Sequence, residues 1–71
     1  MTIYTTNEWK GYGKEYYWNR YDVEGGDIVK YKCRRAKFFD GDENTWEEDE
    51  HEVDRWCIED GNYPDWLNNY I

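Results

Sequence analysis

Aromatic, aliphatic and polar residues are mixed at strand-like spacing in two neighbouring segments, Glu15–Val23 and Ile28–Phe39. Both segments are rich in Tyr, Trp, Val, Ile and Phe, which favour extended backbone. Between them stand Gly25 and Gly26. A Gly-Gly pair favours a two-residue turn with positive φ at both positions. The pattern therefore predicts a β-hairpin.

The hairpin register decides which side chains share a face of the sheet. A two-residue turn pairs Trp18 with Cys33 and Tyr16 with Arg35. One face then has the character of a core and carries Tyr16, Trp18, Val29, Tyr31 and Cys33, with Arg20, Asp22 and Arg35 at its margins. The opposite face is a basic stripe interleaved with tyrosines and carries Tyr17, Tyr21, Lys30, Lys32 and Arg34.

The segment after the hairpin fits either a helix or a strand. Trp46, Val53, Trp56 and Cys57 fall at helical intervals, whereas residues 52–58 also alternate as a strand does. A lone hairpin is marginally stable in water and needs a partner. We therefore favour a third antiparallel strand around residues 51–59, preceded by a loop or wide turn over residues 42–50.

The C-terminal segment has the pattern of a short helix that docks on the sheet. Pro64 suits the first helical position. The apolar side chains after it form a stripe of Trp66, Leu67, Tyr70 and Ile71. Residues 3–5 are a candidate for a further short strand. The predicted fold class is α+β, with a three-stranded antiparallel sheet and a short C-terminal helix in a single domain spanning residues 1–71.

Aromatic residues dominate the apolar composition. The 71 residues include five Trp, eight Tyr and two Phe, against four Ile, three Val and one Leu. A domain of this size cannot cover fifteen rings with so few aliphatic side chains. We therefore expect several Tyr and Trp rings at the surface, and such residues are enriched in protein interfaces.

Charge is distributed unevenly along the chain. Residues 40–60, DGDENTWEEDEHEVDRWCIED, contain eleven carboxylates and one base, Arg55, within a net charge of −8. Residues 1–39 contain eight Lys and Arg against five acids. An extended acidic segment carries one charge per roughly 6 Å, against about 3.4 Å for one nucleic-acid strand. It can therefore imitate phosphates towards Lys and Arg, or form a solvated edge that neutralises a neighbouring strand.

Two candidate sites follow from this distribution. The first is a partner-binding surface of carboxylates with a tryptophan anchor: Asp42, Glu43, Trp46, Glu47, Glu48, Asp49, Glu50, Glu52 and Asp54. The alternative is the basic hairpin face, which has the chemistry of a sheet that stacks bases and contacts phosphates: Tyr17, Tyr21, Lys30, Lys32 and Arg34. The net negative charge disfavours direct binding of nucleic acid.

Catalytic and metal-binding patterns are weak. His51 is the only histidine, serine is absent, and no Gly-rich phosphate loop follows a strand. Asp40, Asp42 and Asn44 match the first ligand positions of a calcium-binding loop, but Thr45 stands where glycine is needed. We therefore predict a protein without enzymatic activity, cofactor or metal.

The cysteines and the apolar pattern bear on the cellular compartment. No apolar run is long enough for a signal peptide or a membrane span, so we predict a cytoplasmic protein without membrane contact. In that reducing setting Cys33 and Cys57 are expected to be free thiols rather than a disulfide.

The chain resembles a class of small acidic inhibitors that phages direct against bacterial defence, the anti-CRISPR and anti-restriction proteins. The resemblance lies in size, in the anionic segment DGDENTWEEDEHEVDRWCIED and in an aromatic-rich sheet without catalytic residues. It implies a non-enzymatic nucleic-acid mimic in the host bacterial cytoplasm. We expect the protein to be a monomer or a homodimer. The implied partner is a CRISPR effector or restriction nuclease, bound at its Lys/Arg-rich groove. No residue role is assigned by position from this class.

Overall fold

One antiparallel sheet makes up most of the computed structural model, which describes residues 1–37 and 46–71. Its strands are β1 (Thr2–Thr5), β2 (Trp9–Lys10), β3 (Glu15–Glu24), β4 (Asp27–Lys37) and β5 (Trp46–Cys57). A 3-10 helix, Asp65–Asn69, follows. The strand order is β1-β3-β4-β5, and β2 pairs with β3 beside β1.

The predicted α+β class is wrong, because the described residues form a five-stranded sheet and contain no α-helix. The C-terminal segment is a single 3-10 turn closed by i→i+3 hydrogen bonds, with Pro64 before its first residue. The Leu67 amide donates to the Pro64 carbonyl at 3.0 Å. The helix has five residues, and 3-10 geometry is usually confined to such short pieces.

The hairpin register is as predicted. β3 and β4 pair Val23 with Ile28 and Trp18 with Cys33 across a two-residue turn. The expected positive φ at both glycines is wrong: in this turn only Gly25 has positive φ, at 61°. A single positive φ at the first central position is the type II′ pattern, which also suits the right-handed twist of the strands.

The third strand of the prediction is present but begins earlier. β5 pairs with β4 from Trp46 to Cys57, so residues 46–50 are strand and not loop. The register shifts where Lys30 pairs with Asp54 and Tyr31 with Glu52, which leaves Val53 as a bulge. Acidic residues have low strand propensity, but the cations of β4 opposite them supply the compensating interaction.

The prediction placed the core on one face of the hairpin only, whereas both faces bury side chains. The buried cluster consists of Tyr21, Ile28 and Leu67, on the face that was expected to be a basic stripe. The C-terminal turn packs there, and Leu67 is fully buried. The face expected to be core does bury Val29 and Cys33. Both faces therefore contribute to stability.

Exposed aromatic rings are a confirmed prediction. The large side chains with at least a third of their surface exposed include Trp9, Tyr12, Trp46, Trp66 and Tyr70. Within residues 1–37 and 46–71, no helix has the length and apolar character that crossing a bilayer requires.

Candidate functional site

β5 forms one edge of the sheet and holds most of the predicted acidic site. Its only hydrogen-bonded neighbour among the described residues is β4. Every residue of β5 is exposed except Trp56, which is half-buried. Six carboxylates of the predicted site lie on this strand, at Glu47, Glu48, Asp49, Glu50, Glu52 and Asp54. Asp42 and Glu43 lie outside the described residues.

The register of β4 and β5 sets opposite charges side by side. Lys30 pairs with Asp54, Arg34 with Asp49, and Arg35 with Glu48. Cross-strand pairs of opposite charge stabilise an antiparallel sheet, whereas like charges in those positions destabilise it. Of these three pairs only Arg34 and Asp49 form a salt bridge, and it helps to hold the acidic strand beside β4.

Three β5 carboxylates form ion pairs within the chain. Asp49 accepts a hydrogen bond from Arg34 at 3.1 Å. Glu50 pairs with Arg20, a residue of β3. Glu52 pairs with Arg55 at 2.8 Å, and Arg55 also binds Asp27 at 2.9 Å. These acids form part of the structural charge network.

The other three carboxylates of β5 form no ion pair with any described residue. These unpaired carboxylates are Glu47, Glu48 and Asp54, and all three residues are exposed. Glu48 lies opposite Arg35, but the Arg35 guanidinium is paired with Glu8 at 3.0 Å. A cation from another molecule can therefore approach the unpaired carboxylates without displacing an internal cation. Asp54 also accepts a hydrogen bond from the Arg55 backbone N–H at 3.1 Å.

The carboxylates of β5 project from both faces of the strand. Residues that pair directly across an antiparallel ladder lie on the same face, and neighbours along a strand alternate. Glu48, Glu50 and Glu52 accordingly lie on one face at intervals of roughly 6.6 Å, whereas Glu47 and Asp49 lie on the other. Negative charge thus surrounds the free edge.

Trp46, the predicted apolar anchor, is 39 % exposed. The Arg35 guanidinium lies 5.0 Å from the centre of its ring and the Lys37 ammonium 5.5 Å. The Tyr16 ring also lies beside it, at 6.1 Å between centroids. The indole therefore joins β5 to the cations of β4 while keeping part of its surface available.

Most side chains of the alternative site, on the basic hairpin face, contact other residues of the chain. Tyr21 is only 5 % exposed, so its ring belongs to the core. Lys30 lies 5.8 Å from the Tyr21 ring centre, and Lys32 lies 5.1 Å from that of Tyr17. Arg34 binds Asp49 and also donates to Glu15 at 3.0 Å. The cations therefore have internal partners, although Trp9, next to Tyr17, is exposed.

Glu15 is a structural acid that the sequence analysis did not single out. It accepts hydrogen bonds from the Tyr17 hydroxyl at 2.7 Å and from Arg34 at 3.0 Å. These bonds favour the charged carboxylate and lower the pKa of Glu15. The same carboxylate raises the pKa of Tyr17 by accepting its proton in a hydrogen bond. The predicted register pairs Glu15 with Ala36, which lies two residues from Arg34 on the same face of β4, so the contact is consistent with that register.

Arg20 is the second residue whose role was missed, since it was assigned to the margin of a face. It pairs with Asp22 on β3 and reaches across β4 to Glu50 on β5, so it links strands that are not neighbours. Its guanidinium also lies 4.7 Å from the Tyr31 ring centre. The hydrogen bond with Glu50 is the main cause of its raised pKa. Strand alternation shows which residues share a face, but it does not show a contact that reaches from β3 across β4 to β5.

Cysteine and metal chemistry are limited in the described part of the chain. Cys33 and Cys57 are free thiols, the first buried and the second exposed. Burial raises the pKa of the Cys33 thiol, which makes it less reactive. Residues 1–37 and 46–71 contain no group of three or more His, Cys, Asp and Glu arranged to hold a metal. Asp40, Asp42 and Asn44 lie outside these ranges.

Comparison with known proteins found no matching family model, no matching curated protein and no matching solved structure.

Proposed function

We propose that this protein is a non-enzymatic inhibitor whose β5 edge occupies a basic nucleic-acid-binding site on another protein. The observation that carries the proposal is the set of unpaired carboxylates, Glu47, Glu48 and Asp54, at exposed positions of an edge strand. The proposed partner is a CRISPR effector or restriction nuclease, and the proposed compartment is the bacterial cytoplasm.

The charge density of the edge supports the proposal. Glu47 and Asp54 are seven residues apart, or roughly 23 Å along a strand. The six carboxylates in this stretch, three of them ion-paired within the chain, give one carboxylate per roughly 5 Å, against one phosphate per about 3.4 Å for one nucleic-acid strand. A Lys/Arg-rich groove that binds phosphates also binds carboxylates, through the same charge-assisted hydrogen bonds.

The shape of the edge supports it as well. A strand at the border of a sheet is narrow, and its side chains are reachable from both faces. Glu48 on one face and Glu47 on the other can meet opposite walls of a groove. The partly exposed indole of Trp46 adds apolar contact at one end of the strand, where an aromatic anchor provides specificity.

Capture from a bacterial lysate tests the proposal. The purified protein is immobilised, and bound proteins are eluted first at low and then at high salt. We expect a DNA- or RNA-guided nuclease or a restriction enzyme that elutes steeply with salt, because its contacts are ionic. Elution of nucleic acid with no protein partner would contradict the proposal and favour the basic tyrosine face.

Two triple variants make this experiment specific. Glu47→Lys/Glu48→Lys/Asp54→Lys reverses the unpaired carboxylates of β5. Glu59→Lys/Asp60→Lys/Asp65→Lys changes the net charge equally at exposed acids outside the strand. Only the first variant is expected to lose the partner. Equal loss in both would indicate attraction by overall charge instead of a site.

A further inference from the structure

The outer edge of β5 leaves backbone hydrogen-bonding groups without a partner strand. From Trp46 to Glu52 its register with β4 is continuous, and the bulge at Val53 ends this stretch. In any strand, alternate residues direct their N–H and C=O groups away from the neighbouring strand. No backbone group elsewhere in the described ranges hydrogen bonds to this outer edge between Trp46 and Glu52.

The opposite edge of the sheet is shorter. There β1 has four residues and β2 has two, and both pair with β3. Very short edge strands limit pairing with other chains, whereas a long edge is a ready template for an added strand. β5 has twelve residues, so it is the edge with room for a partner.

We infer that the Trp46–Glu52 edge binds a basic extended segment of the target as an additional antiparallel strand. This inference rests on the proposed function and specifies how the partner is bound. Main-chain hydrogen bonds provide affinity in such strand addition, and side chains provide specificity. Here the specificity is electrostatic, because the edge offers carboxylates at the side-chain positions next to an incoming strand.

Charge complementarity favours a basic segment as the added strand. Glu48, Glu50 and Glu52 lie on one face at every second residue. Glu48 forms no ion pair with a described residue, whereas Glu50 and Glu52 also pair with arginines of the chain and would share their charge with an added cation. A strand with Lys or Arg at alternate positions places its cations beside these carboxylates, at the same period of two. A second copy of this chain does not suit the edge, since two β5 strands would place like charges beside one another.

A synthetic peptide tests the inference without altering the protein. The probe is an acetylated and amidated peptide of alternating lysine and valine, long enough to span Trp46–Glu52. Two derivatives carry N-methyl groups on alternate residues, in opposite phase. In one derivative the methyl groups face β5 and block its hydrogen bonds, and in the other they face solvent. All three peptides have the same charge.

Strand addition predicts that one N-methylated derivative binds at least about tenfold more weakly than the parent peptide, whereas the other binds within about twofold. Binding of the parent should also slow hydrogen exchange at alternate backbone amides between Trp46 and Glu52. Equal binding of both derivatives would overturn the inference, because affinity would then depend on charge alone. Failure of the parent peptide to bind would overturn it as well.

The lysate experiment separates this inference from the proposed function. If the triple variant of the unpaired carboxylates loses a captured nuclease while both N-methylated peptides bind alike, the inhibitor proposal stands and strand addition fails. If no nuclease is captured and one peptide phase is selectively blocked, the edge binds strands but the proposed target is wrong.

Discussion

Neighbouring strands β4 and β5 differ in burial and in charge. β4 buries Ile28, Val29 and Cys33 and carries five Lys and Arg. β5 is almost entirely exposed and carries six acids against one Arg. The two strands therefore have different roles. β4 supplies packing and cations that hold the sheet together, and β5 presents the carboxylates that remain after its own ion pairs form.

The largest expected difference between the two strands concerns packing. Ile28→Ala on β4 should lower the free energy of unfolding by about 2–4 kcal/mol, because it opens a cavity beneath Tyr21 and Leu67. Val53→Ala on β5 should change it by less than about 0.5 kcal/mol, because Val53 is exposed. Urea unfolding measures both. A similar loss of unfolding free energy in the two variants would contradict the different roles of β4 and β5.

The next effect concerns the cation that links β3 to β5. Arg20→Met keeps much of the apolar stem but leaves Asp22 and Glu50 without their partner. We expect a loss of about 0.5–1 kcal/mol of unfolding free energy, a value limited by solvent screening. Adding 1 M salt should reduce the difference between the variant and the natural protein. A difference independent of salt would assign the effect to packing.

A pH-dependent effect follows from Glu15. Its lowered pKa means that the folded state binds the proton less tightly than the unfolded state. The stabilisation is therefore fully present above the ordinary value of 4.5 and is lost as pH falls through the lower folded value. Glu15→Gln should be less stable than the natural protein at pH 7, and the difference should vanish in acid. A difference that grew on acidification would contradict this account.

The smallest effect on stability is expected for the unpaired carboxylates. Glu47→Gln/Glu48→Gln/Asp54→Asn should leave the free energy of unfolding within about 0.5 kcal/mol, or raise it slightly by relieving repulsion. Asp49→Asn/Glu50→Gln/Glu52→Gln is the matched control, because it removes the three acids of β5 that are ion-paired within the chain. The control should be the less stable of the two. The reverse order would show that the unpaired carboxylates stabilise the fold.

The sequence predicts the hairpin well because its signals are local. Gly25 and Gly26 fix the turn, and period-two alternation then fixes the register through Trp18 and Cys33. The start of β5 could not be predicted in this way, since residues 46–50 contain mostly Glu and Asp. Their strand conformation depends on β4 cations that only the folded sheet brings opposite them.

The choice of core face depends on contacts that are distant in sequence. From the sequence alone, the tyrosines and cations of the basic hairpin face are expected to be exposed. In the fold, the C-terminal turn packs Leu67 against Tyr21 and Ile28 on this face. The candidate acidic segment was recognisable from charge density alone, although its strand conformation over residues 46–50 was not. The sequence could not show which of these acids lack an ion-pair partner, because Glu50 pairs with Arg20 across an intervening strand.

Competition between this protein and nucleic acid tests the central claim most directly. A captured nuclease is titrated with its labelled guide or target oligonucleotide at several fixed concentrations of this protein. Occupation of the nucleic-acid site predicts that the apparent Kd of the oligonucleotide rises in proportion to the protein concentration, with no ternary complex. An unchanged Kd, or a stable ternary complex, would contradict the claim.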